Sequence, residues 1–178
     1  DGSNSRAYRL ALSSGAQFQV IGNDDGLLEA PVAIDSLLLT PGERADVVID
    51  FAGYPAGTEI LLTNSAPAPF PGTPGVGVIP NVMKFIVVNQ PGFTSPLPAS
   101  LRPVVNLPEA GAARVRDFTL ASTSDPCTGS MWMINGLGWE DVVEFPELGT
   151  SEVWRFINRS GMMHPMHMHL VAFQILDR

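Results

Sequence analysis

The stretch Leu37-Leu38-Leu39-Thr40-Pro41-Gly42-Glu43-Arg44-Ala45-Asp46-Val47-Val48-Ile49-Asp50-Phe51 decides the fold class. Two short apolar, partly β-branched runs flank a Pro-Gly turn, the pattern of strand, turn, strand. The same kind of run recurs at Phe18–Ile21, Glu59–Thr63, Val82–Val88, Arg116–Ala121, Glu152–Asn158 and Leu170–Leu176, with Gly, Pro, Asn or Asp between most of them. Such spacing is that of a β-sandwich or barrel. The chain of 178 residues holds 17 Gly and 16 Pro, punctuation too frequent for long helices, and no amphipathic helix longer than a turn or two is evident. The expected class is all-β.

Apolar residues make up 45% and charged residues 16%, the composition of a folded chain rather than a disordered one. Acids outnumber bases 18 to 10, for a net charge of −8, and Lys84 is the only lysine. That balance repels phosphate backbones and anionic lipid, so no nucleic-acid partner is expected. No apolar run approaches the roughly 18 residues of a membrane helix, so no membrane span is expected either. Cys127 stands alone and cannot close an internal disulfide.

Two stretches interrupt the strand rhythm. Ala66–Pro80 is too rich in proline to pair inside a sheet and reads as a surface loop. Pro91–Gly111 carries Pro96, Pro98, Pro103 and Pro108 and reads as an extended connection. The expected organisation is a first β domain over 1–90, a linker over 91–115 and a further β segment over 116–178. Each side is small for a closed sandwich, so both read as pieces of domains.

All three histidines of the chain fall within His164-Pro165-Met166-His167-Met168-His169. Imidazole is the commonest protein ligand for borderline metals. On a strand His167 and His169 share a face while His164 points away, and Pro165 argues against a helix, so one segment offers two sites. A zinc hydrolase site would continue with a nearby Asp and His, and Leu170-Val171-Ala172-Phe173 supplies neither. Met162, Met163, Met166 and Met168 read as fillers of irregular core gaps, although thioethers also bind Cu(I). Trp132, Trp139 and Trp154 read as core anchors. The acids Asp24, Asp25, Glu140 and Asp141 read as turn formers.

The pattern His-Pro-x-His-x-His followed by an apolar strand with Phe resembles the multicopper oxidases, and His164–Leu176 matches it throughout. The stretch Leu39–Phe51 resembles that family's second-domain "PGERADV" hairpin, and Ile21–Leu28 the turn before it. Ile134-Asn135-Gly136 and Glu152–Asn158 resemble the strands leading to the His motif. The ending is most similar to the spore-coat laccase and phenoxazinone-synthase branch. The resemblance implies a cupredoxin-like Greek-key β-sandwich, with 1–90 as a second domain lacking its first strands and 116–178 as the first half of the third. It implies copper as cofactor: His164 on the type 1 copper, His167 on the type 2 copper and His169 on the binuclear type 3 pair. It also implies O2 and a small reducing substrate as partners, and a secreted, periplasmic or spore-surface setting, with a cytoplasmic one also compatible.

The departures from the family pattern carry equal weight. The two early His-x-His motifs and the late motif, whose cysteine is flanked by histidines, do not occur in this chain, and Cys127 has no histidine beside it. The chain is therefore expected to be an internal fragment that needs the remainder of the same protein. The reading from another class is a cupredoxin-like binding or structural module with a vestigial or zinc-occupied His cluster.

Overall fold

The computed structural model describes residues 1–3, 5–68, 70, 79–127 and 129–177. Most of the proline-rich loop expected over Ala66–Pro80 lies outside the described residues. Among the described residues, ten strands and a single 3-10 turn at Glu109–Gly111 make up the regular structure. The chain forms two compact units, Asp1–Val104 with Pro165–Ala172, and Val105–His164 with Phe173–Arg178.

The first unit contains two sheets. Strands β1 (Tyr8–Leu12), β4 (Leu37–Leu39), β6 (Glu59–Asn64) and β7 (Asn81–Ile86) form an antiparallel sheet in the order β4-β1-β6-β7. Strands β2 (Phe18–Asn23), β3 (Gly26–Ile34) and β5 (Ala45–Val48) form the second sheet, in the order β3-β2-β5. Leu12, Phe18 and Ile60 come from both sheets and are almost fully buried, with Leu10, Ile34, Phe51 and Phe85 packed around them. Removing several buried methylenes from such a nucleus costs a few kcal/mol, which makes it the anchor of this unit.

The stretch expected to form a hairpin at Leu37–Phe51 is strand, turn, strand, but its two arms do not pair with each other. β4 pairs with β1, and β5 pairs with β2, so Thr40–Arg44 is an arch that carries the chain from one sheet to the other. Glu43 fixes the arch: its carboxylate accepts the Thr40 backbone N–H at 2.6 Å and the Thr40 hydroxyl at 2.8 Å. Gly42 takes φ +89°, a left-handed conformation that disfavours any residue with a Cβ. The following Pro-rich segment is tied to β3, where Leu101 N–H donates to the Glu29 carbonyl at 2.8 Å and the Arg102 guanidinium donates to the Leu27 carbonyl.

The second unit is built on β8 (Arg114–Asp125), flanked by β9 (Gly129–Ile134) and by β10 (Glu152–Asn158). β9 runs antiparallel to β8, whereas β10 runs parallel to it, which requires the long connection between β9 and β10. Asn135 and Gly136 both have positive φ and form a two-residue turn closed by reciprocal Ile134 and Leu137 backbone hydrogen bonds. The Asn135 side chain extends the sheet: its oxygen accepts Thr119 N–H at 2.7 Å, and its amide donates to the Asp117 carbonyl at 2.9 Å. Phe118 is buried against Trp154 and Phe156, with ring centroids 4.8 and 5.3 Å away.

Leu170–Leu176 is not a strand, contrary to the sequence expectation. A strand forms only where a neighbour takes its backbone hydrogen bonds, and among the described residues no strand runs beside this one. The side chain of Gln174 makes the contact instead, accepting Leu107 N–H at 2.9 Å and donating to the Val105 carbonyl at 2.7 Å.

An ion-pair cluster stiffens β8 and β10. Arg116 grips Glu152 with two hydrogen bonds of 2.6 and 2.9 Å and also meets Glu144. Trp154 Nε1–H donates to the same Glu152 carboxylate at 2.8 Å. These hydrogen bonds, Arg116 foremost, hold the Glu152 carboxyl at about 2, below its usual 4.5. A depressed folded-state value means the carboxylate stabilises the fold fully above the unfolded value, and that stabilisation is lost as pH falls from about 4.5 through about 2. Thermal unfolding followed against pH is expected to show a midpoint that drops across that window. Glu152→Gln should lower the midpoint at neutral pH and flatten the drop. An unchanged slope in the variant would remove Glu152 from the account.

Candidate metal centre

β10 ends at Asn158, and the chain then turns tightly into the histidine segment. Asn158 closes this turn by accepting Ser160 N–H at 2.9 Å, while its side-chain amide donates to the Met162 carbonyl at 2.7 Å. This is the local bond pattern that makes Asn a turn former. His164 follows, half-buried, with Nε2 2.8 Å from the Ser160 hydroxyl oxygen. Its ring meets Trp132 of β9 edge-on, with centroids 4.7 Å apart and planes at 69°.

His164 belongs to the second unit, whereas His167 and His169 belong to the first. No strand covers residues 161–177, so the alternation expected from strand geometry is not what separates them. The His167 and His169 rings are both exposed and lie 4.8 Å apart at 85°, a T-shaped pair. The Pro-Gly arch is beside them. A methyl group built on Gly42 would stand 3.9 Å from His167 Nδ1, so the bare glycine leaves room along that side of the ring.

Three imidazoles, two of them face to edge and accessible, are a donor set suited to copper, which accepts nitrogen ligands in both common oxidation states. Among the described residues no three His, Cys, Asp or Glu side chains converge on a common point, so the chain supplies ligands in ones and twos. Cys127 is exposed in the turn between β8 and β9. Cys127→Ser in the full-length protein is expected to leave any thiolate-to-copper absorption in place. Loss of that band with the fold intact would make Cys127 a ligand.

Other expectations fare differently. Trp154 packs with Phe118, but Trp139 is 96% exposed and Trp132 53% exposed, so neither is a core anchor. Met162 and Met163 are exposed, and Met166 and Met168 half-buried, so none of the four fills a core. Asp141 acts in its turn as read, accepting the Gly138 backbone N–H at 2.8 Å, whereas Asp24, in the turn after β2, accepts the distant Arg44 backbone N–H at 2.8 Å. Ser160, Asn158 and Gly42 were not singled out as site residues. The Asn-x-Ser sequence that closes a turn just before the histidines was the available signal for the first two.

The multicopper oxidase family model matches residues 115–178. Laccase from Bacillus subtilis is 37% identical over 185 residues, covering 99% of this chain and 34% of the laccase. Bilirubin oxidase from Albifimbria verrucaria is 34% identical, covering all of this chain and 32% of that enzyme. Among solved structures, a variant of the McoA multicopper oxidase from Aquifex aeolicus superposes with a TM-score of 0.78 at 30% identity, over 97% of this chain and 39% of that one. The fold is thus a cupredoxin-like β architecture. Residues 115–178 are thus part of a multicopper oxidase domain, and the chain as a whole is similar to copper oxidoreductases of that family. It spans about a third of the length of the curated relatives it matches. Among the described residues no helix is long and apolar enough to cross a membrane.

Proposed function

We propose that this chain is the histidine-bearing central part of a laccase-like oxidase that couples one-electron oxidation of small reductants to four-electron reduction of O2 to water. The observation that carries the reading is the sequence His164-Pro165-Met166-His167-Met168-His169, folded so that His164 is held in one unit and the His167/His169 pair stands free in the other. Copper, when bound, supplies reversible one-electron exchange. His164 would hold the type 1 copper, His167 the type 2 copper and His169 one copper of the type 3 pair.

In this reading residues 1–90 correspond to a second cupredoxin-like domain and 116–178 to the first half of a third, joined by 91–115. The remaining ligands come from the rest of the same protein, which fits the one-third coverage of the relatives. Reducing substrates are phenols, aminophenols, bilirubin-like pigments or low-valent metal ions. The test is an oxygen electrode with a phenolic substrate and the full-length protein, before and after copper removal. Uptake that vanishes on chelation and returns with copper but not zinc supports the proposal. A protein that is inert after copper loading, or that holds zinc alone, is instead a binding or structural module.

A further inference from the structure

The hydrogen bonds around Ser160 determine which ring nitrogen of His164 carries its proton. A serine hydroxyl has one proton to give and two lone pairs to fill. Around Ser160 Oγ stand the Asn158 side-chain oxygen at 2.7 Å, the Met162 carbonyl at 3.0 Å, the Met162 N–H at 3.4 Å and His164 Nε2 at 2.8 Å. Asn158 is oriented independently, because its amide nitrogen donates to the Met162 carbonyl while its oxygen accepts Ser160 N–H. The group facing Ser160 is therefore an acceptor.

If the serine proton went to His164 Nε2, the 2.7 Å contact between Ser160 Oγ and the Asn158 oxygen would join two acceptors with no proton between them. That sets lone pair against lone pair at 2.7 Å, a repulsive arrangement even in a turn where only Ser160 and His164 are half-buried. With the proton directed to Asn158 or to the Met162 carbonyl, a free lone pair faces His164, and Nε2 must be the donor. We infer that Ser160, held by Asn158, places the single ring proton of neutral His164 on Nε2 and so reserves Nδ1 as its metal-binding atom. Ser160 is a positioning residue in this scheme: it acts through His164 and needs no contact with the metal. Trp132, edge-on to the ring, limits its rotation and supports the same orientation. A partner on the far nitrogen of a ligating histidine fixes both tautomer and ring direction.

The tautomer follows from hydrogen bonds alone, whereas the role in metal binding rests on the reading of His164 as a copper ligand. The experiment separates the two. In metal-free full-length protein labelled with 15N-histidine, long-range 1H–15N spectra should show His164 with a pyrrole-type Nε2 and a pyridine-type Nδ1. Ser160→Ala should yield averaged signals from both tautomers, and Ser160→Thr, which keeps the hydroxyl, should restore the single form. A pyrrole-type Nδ1 in the unaltered protein, or spectra indifferent to Ser160→Ala, overturns the inference. The wild-type spectrum decides even if the alanine variant fails to fold. On copper titration, Ser160→Ala should weaken occupancy of the blue site about 10-fold, the lower end of the range typical for such supporting residues. If the tautomer is as stated but the blue band survives His164→Ala, the copper assignment falls and the positioning of His164 by Ser160 stands.

Discussion

His164→Ala in the full-length protein is expected to abolish the blue type 1 absorption while leaving the type 2 copper signal visible by electron paramagnetic resonance. His167→Ala should do the reverse. A type 1 centre depends on a small set of imidazole and thiolate donors, and removing one imidazole leaves too few to hold Cu(II) in the thiolate-dominated geometry that gives the colour. His164 is tied to Ser160 and Trp132, whereas His167 stands by Gly42 and His169, so each substitution disturbs a separate set of contacts. The expected loss is complete for one signal and slight for the other. Two variants that each erase the same signal, and only that one, would show that His164 and His167 serve a single centre.

The arch at Thr40–Arg44 illustrates how far the amino-acid sequence carries. Its Pro-Gly turn and the apolar runs on either side were legible, and so was the all-β class. That its arms join different sheets was not, because pairing depends on β1 and β2, which are distant in the chain. β1 itself, Tyr8-Arg9-Leu10-Ala11-Leu12, has little β-branched character and draws its pairing from β4 and β6. β3 was hidden by Gly26 and Pro31, which break the alternation. Gly26 pairs with Asn23 at the end of the strand, and Pro31 falls in the stretch of β3 passed over by the register shift between Val20 and Gly22. β9, Gly129-Ser130-Met131-Trp132-Met133-Ile134, was obscured by its opening Gly129 and by having Ile134 as its one β-branched residue.

At the site, the histidine cluster was plain in the sequence because three rare residues fall within six positions. The manner of its division was not legible. Strand parity suggested that His164 differs from His167 and His169, and the structure separates them by membership of two units rather than by a pleat. Side-chain hydrogen bonds such as Ser160 to His164 depend on the three-dimensional path of the turn, and residue type alone does not specify them.

The second large effect concerns the 178-residue chain by itself. It should show no blue colour and no sustained oxidase turnover, even with excess copper. Three histidines and one cysteine cannot furnish both a type 1 centre and a trinuclear cluster, and no three potential ligands converge among the described residues. Metal held by one or two side chains remains weakly bound, since water competes for the open positions. The chain also exposes apolar residues such as Trp139, Phe145 and Leu148, a surface that invites aggregation in isolation. Weak uptake of a single Cu(II) or Zn(II) is compatible with this expectation. Oxygen consumption with a phenolic substrate is the readout, on material shown by intact mass to contain only these residues. Many turnovers per chain would contradict the reading, and turnover restored only by supplying the complementary segments would support it.

The most direct measurement is the metal content of the purified full-length protein by elemental mass spectrometry, beside that of a variant with His164, His167 and His169 all replaced by alanine. If these histidines are copper ligands, the unaltered protein holds several copper atoms per chain and little zinc, and the triple variant loses most of them while remaining folded. Zinc in place of copper, or equal copper in the two proteins, would contradict the assignment.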